Sequence, residues 1–122
     1  MKNYLKLAKT LAENLHKRKA KQVKILDLRK ISAVADFFII ATGTSDTHLR
    51  MLREAVIDEL EETGIKVLHT DGGKKNQWQA IDCGGIIVHL FHPDAREFYK
   101  LERLWTDAKP VTWKKAVKKK KS

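Results

Sequence analysis

Two strand-like runs, Trp78–Asp82 and Ile86–Phe91, are separated only by Cys83, Gly84 and Gly85. This spacing limits the fold more than any other feature of the chain. A parallel crossover needs a dozen or more residues, so three can close only an antiparallel hairpin. The first run alternates, with Trp78, Ala80 and Asp82 on one side and Gln79 and Ile81 on the other.

The remaining segments supply the partners for this hairpin. Residues 36–41, DFFIIA, are apolar almost throughout and read as a strand buried on both faces. Residues 23–28 alternate loosely and read as another strand. Residues 65–69 read as a third in chain order, followed by a polar loop over 70–77. Over residues 3–19, Tyr4, Leu7, Ala8, Leu11, Ala12 and Leu15 recur at helical spacing and form one apolar stripe. Leu49, Leu52, Ala55, Val56 and Leu60 do the same in a second helix. Ser45 or Asp46 caps it, Glu59, Glu61 and Glu62 crowd its last turn, and Gly64 stops it. A third helix is expected from Pro93 and Asp94, packing through Ala95, Phe98, Leu101, Leu104 and Trp105, with Pro110 at its exit. The order α-β-β-α-β-β-β-α predicts one α/β domain, a mixed five-stranded sheet packed with helices.

Charge divides the 122 residues into three parts. Residues 1–24 carry +7, residues 25–108 carry −4 and residues 109–122 carry +7. Two basic arms flank a mildly acidic body. The arms suit a phosphate-rich surface and the body a basic protein surface. The domain is therefore placed at 1–108 and a lysine-rich tail at 109–122, whose removal is expected to leave the fold intact. A lone cysteine excludes an internal disulfide. No apolar run approaches the roughly 20 residues that span a bilayer, and the basic N-terminus lacks the apolar core of a signal peptide. A cytoplasmic protein with no membrane partner is expected.

Catalytic patterns are absent. The turn Gly43-Thr44-Ser45 is followed by no strand with paired carboxylates. Glu59 and Glu61 have the spacing, but on a helix they point about 200° apart. The five histidines show no metal-ligand spacing, and Cys83 in a glycine turn is weak ground for a nucleophile. Amides of the 43–45 turn could hold an anion, although such a turn more often caps its helix. No catalytic residue, metal or cofactor is expected.

The ordered set ADFF at 35–38, TGTS at 42–45, Trp78 with Asp82, Val88-His89 and LERLW at 101–105 closely resembles the Iojap family of bacterial ribosomal silencing factors. The resemblance covers residues 23–108. It implies a nucleotidyltransferase-like α/β topology without the catalytic carboxylates. It also implies a protein that binds the large ribosomal subunit at its fourteenth protein and blocks joining of the small subunit. On this resemblance Asp71, Gly72, Trp78, Gln79 and Asp82 belong to the docking surface, and a homodimer is implied for the free protein. The chain departs from the family at Asp71, where glutamate is usual, and at Gly85, where a second acid is common. From the residues alone, Trp78 and Asp82 admit two readings, partner contact or core with a hairpin cap. His89 reads as a satisfied buried histidine.

Charge alone adds an expected contact with nearby ribosomal RNA through Lys114, Lys115, Lys118, Lys119, Lys120 and Lys121. Two alternatives stand beside this reading. One is a nucleotide-handling enzyme of related fold, the other a general RNA-binding protein acting through its lysines.

Overall fold

The computed structural model describes residues 4–31, 33, 35–72, 78–93 and 109–113. In chain order these form α1 (Tyr4–Lys17), β1 (Lys21–Asp27), β2 (Phe37–Thr42), α2 (Asp46–Glu62), β3 (His69–Asp71), β4 (Trp78–Asp82), β5 (Ile86–Phe91) and β6 (Lys109–Pro110). One mixed sheet runs β3-β4-β5-β2-β1-β6. Only β2 and β5 pair in parallel, and the other ladders are antiparallel. The expected third helix, from Pro93 to Trp105, lies outside the described residues from 94 onward.

Both helices pack on one face of the sheet. The α1 stripe Leu7, Ala8, Leu11, Ala12 and Leu15 is buried as expected, against Ile25, Phe37, Ile39, Ile81, Val88 and Leu90 of the strands. Each fully buried leucine contributes about 2 kcal/mol through area removed from water. Asn14 of α1 also donates to Glu59 of α2 at 3.3 Å, so Glu59 links two helices. The opposite face carries a second cluster of Leu26, Leu28, Ala35, Phe38, Ile40 and Phe91. This division explains the uninterrupted apolar run of β2, all six residues of which are buried.

Ser45, rather than Asp46, caps α2, its hydroxyl accepting from the His48 amide at 3.1 Å. At the other end Ile65 N–H bonds the Leu60 carbonyl and Gly64 N–H the Glu61 carbonyl, with Gly64 at φ +76°. This is the double hydrogen-bonded closure that favours glycine.

Three expectations need correction. The third strand is residues 69–71, not 65–69, because the Ile65 amide is occupied in closing α2. The sheet has six strands, not five: Lys109–Pro110 pairs with Leu26 and Asp27 on β1. An edge position tolerates a proline that donates no ladder hydrogen bond. The tail therefore does not start at 109. Val111 N–H bonds the Ile25 carbonyl at 2.9 Å, and Trp113 packs on the main core and donates to the Val23 carbonyl at 3.2 Å. Removing 109–122 would strip the edge of β1. The lysines from 114 onward lie outside the described residues.

Candidate functional site

Residues directly opposite in a ladder point to the same face, so the registers lay out the sheet surface turned away from α1 and α2. One row runs Asp71, Ala80, His89, Ile40 and Lys24. A second runs His69, Asp82, Ile87, Phe38 and Leu26, and a third joins Trp78, Phe91 and Thr42. Two carboxylates at the β3–β4 end thus flank an aromatic group on β4 and β5.

That group is tightly organised. The Trp78 ring stacks on Phe91 with centroids 5.4 Å apart, and its indole N–H donates to His89 Nδ1 at 3.1 Å. Phe38 meets the His89 ring edge-on at 4.6 Å. Because Nδ1 accepts, the proton of the neutral imidazole sits on Nε2. Buried Nε2 finds no hydrogen-bond partner among the described residues. Burial lowers the His89 pKa from 6.5 to about 4, so the ring stays neutral. The satisfied histidine expected from the sequence is satisfied at one nitrogen only.

The turns fix the two acids. Asp82 Oδ1 accepts from Gly84 N–H at 2.9 Å, and Asp71 Oδ1 from Gly72 N–H at 3.0 Å. Asp71 is exposed and Asp82 half-buried. Gly72 holds φ +94°, and a Cβ there would lie 2.7 Å from the Trp78 carbonyl oxygen, so no side chain fits. Glycine there lets the backbone after β3 lie directly against Trp78 and Gln79 of β4.

Of the two readings of Trp78 and Asp82, the geometry bears out the hairpin cap and partial burial. Asp82 caps its hairpin, and Trp78 is half core and half surface. Asp71, Gly72, Trp78 and Asp82 come together as expected. Gln79 does not: it is 4% exposed and points to the helix side, as strand alternation requires, so it leaves the surface group. His69, His89 and Phe91 join the face instead. The same alternation, applied to Ile86–Phe91, would have found the last two.

The other candidate chemistries lack support. No group of three or more potential metal ligands exists among the described residues. Cys83 is 4% exposed and its thiol donates to the Ile86 carbonyl. Two amides of the 43–45 turn are occupied: Gly43 N–H bonds the Phe91 carbonyl, and Thr44 N–H bonds His48 Nδ1. No described helix is long and apolar enough to cross a membrane.

Fold and face together define a small single-domain α/β protein with an acidic and aromatic sheet surface. The model of the family described as "Ribosomal silencing factor during starvation" matches residues 1–122, and the chain belongs to that family. It is 36% identical over 107 residues to the ribosomal silencing factor of Bacillus subtilis, covering 88% of each chain. It is 33% identical over 107 residues to the chloroplastic Iojap protein of Zea mays, covering 88% of this chain and 46% of that one. A crystal structure of a Chromobacterium violaceum protein superposes with TM-score 0.78 at 31% identity, covering 93% of this chain and 95% of the other. The family match takes in both basic arms, which extends the resemblance beyond residues 23–108.

Proposed function

We propose that the chain represses translation by docking the Asp71–Trp78–Asp82 face on a basic protein of the large ribosomal subunit, its fourteenth. The bound domain then occupies the volume that the small subunit needs. Such a mechanism is steric and requires no catalytic step, nucleotide or metal. One observation carries the proposal: two carboxylates, each hydrogen-bonded to a nearby backbone amide, share one sheet face with a half-buried tryptophan. An aromatic anchor beside fixed charges suits protein recognition. The names of the Bacillus subtilis and Zea mays relatives, a ribosomal silencing factor and an Iojap protein, support a ribosomal partner. Away from the subunit we expect a homodimer that yields the docking monomer, which light scattering would detect.

The test is co-sedimentation with purified large subunits, then addition of small subunits. Asp71→Asn with Asp82→Asn removes both charges and retains both turn hydrogen bonds, since the amide oxygen still accepts. We expect binding weakened about tenfold or more with an unchanged melting temperature. A double variant that binds and blocks joining like the parent would mean that the docking face lies elsewhere.

A further inference from the structure

The second feature of the molecule lies at the far end of the sheet. A cleft of about 540 Å³ is lined by His16, Lys17, Lys19, Lys21, Val23 and Trp113, among others. Trp113 and His16 meet edge-on, with ring centroids 5.4 Å apart, and the indole N–H is anchored on Val23. Lys17, Lys19 and Lys21 are exposed, and no carboxylate among the described residues pairs with them. An aromatic wall beside unpaired ammonium groups is the composition of a single-stranded nucleic-acid site: the ring takes a base, the lysines take phosphates.

Two details of the backbone sharpen this. The C-terminus of a helix ordinarily repels anions through its free carbonyls. Here three of the last four are occupied, Asn14 and Leu15 by Arg18 N–H, Leu15 also by Ala20 N–H and His16 by Lys19 N–H, and the Arg18 carbonyl just beyond meets the His48 ring. The second detail is the closure itself. α1 ends with the same pair of hydrogen bonds as α2, but the left-handed position held by Gly64 in α2 is held by Lys19, at φ +75°. Gln22, three residues on, is also left-handed at φ +50°. A lysine occupies the position where glycine is relaxed, and the strain lies in the wall of the cleft.

We infer that this cleft binds an unstacked nucleotide of a single-stranded RNA segment, the base against Trp113 and the flanking phosphates on Lys17, Lys19 and Lys21. A polymer fits better than a free nucleotide because the sequence continues from Trp113 directly into Lys114 and Lys115, with four more lysines at 118–121. The site lies on β1 and α1, away from the acidic face, and does not depend on how that face docks.

The test uses the full chain, a short fluorescent oligouridylate and the matching abasic ribose-phosphate chain, read by anisotropy across a salt series, with no ribosome present. The oligouridylate should bind about tenfold more tightly than the abasic chain, and Trp113→Leu should erase that difference. Replacing Lys17, Lys19 and Lys21 by Gln should lower the log–log salt slope by about 2. Lys19→Gly serves as the variant certain to fold: it should raise the melting temperature by a few degrees, about the relief of one strained residue, and still weaken binding. Equal affinity for the two probes, or Lys19→Gly binding as tightly as the parent, would overturn the site and leave only diffuse attraction to the lysine tail. Displacement of the oligomer by an equal concentration of uridine monophosphate would overturn the polymer assignment.

Discussion

At the β3–β4 end of the sheet, every group on the proposed docking face comes from residues 69–91, a single stretch of chain folded by two turns. At the β1–β6 end, the facing groups come from residues 16–23 and from Trp113, 90 residues beyond Val23. The first end presents carboxylates, the second ammonium groups. Four strand spacings, about 19 Å, lie between β3 and β1. Local turns can hold charge in place without help, whereas a cleft shared by distant segments exists only once the whole domain has closed. The acidic end is thus drawn from one contiguous stretch, and the basic end is contingent on the rest.

This contrast can be broken by experiment. The largest effect should come from truncation. A chain ending at residue 108 loses β6, two hydrogen bonds to β1 and the packing of Trp113, and should be about 3–4 kcal/mol less stable in urea denaturation. A chain ending at residue 113 should match the parent within about 0.5 kcal/mol. If both truncations are neutral, the basic end does not depend on its distant segment.

Next in size is the response of the acidic end to pH. His89 is neutral in the folded protein because burial lowers its pKa from 6.5 to about 4. Between those values the unfolded chain binds more protons, so stability is complete above about pH 6.5 and falls as pH drops toward 4. The full loss is on the order of 3 kcal/mol. His89→Leu should flatten stability in that window, and an unchanged pH profile would detach the effect from His89.

A smaller effect is expected at the hairpin turn. A Cβ on Gly85 would lie 2.5 Å from ring carbons of Tyr4, so Gly85→Ala should cost about 2 kcal/mol by overpacking. In the Tyr4→Ala background the same substitution should be nearly neutral. Additive losses would show that α1 does not clasp the turn.

The same contrast explains what the sequence revealed. Local signals were reliable: the hairpin around residues 83–85, the α1 stripe, the Ser45 cap and the Gly64 stop all follow from neighbouring residues. Period-2 alternation puts Trp78 and Asp82 on one side of their strand, whereas Asp71 and Gly72 came only from the family resemblance, and the β3–β4 ladder now sets Asp71 on the same face. Gln79 entered the surface through the resemblance alone; alternation already sets it opposite Trp78, and the structure buries it on the helix side. Strand β6 was missed because two residues, one of them proline, carry no periodicity. The left-handed backbone of Lys19 has no mark in the sequence, since that conformation is ordinarily signalled by glycine. The cleft was invisible for the same reason, as its two walls are far apart in the chain.

The Tyr4–Gly85 contact has a consequence for sequence divergence. The ring of Tyr4 fills the space that any side chain at position 85 would need. A chain with an acid there would need a smaller residue at the position of Tyr4 or a first helix that starts further back. The two positions should drift as a pair, and a lineage could gain a third acidic contact on its hairpin only by giving up the aromatic clasp at its N-terminus.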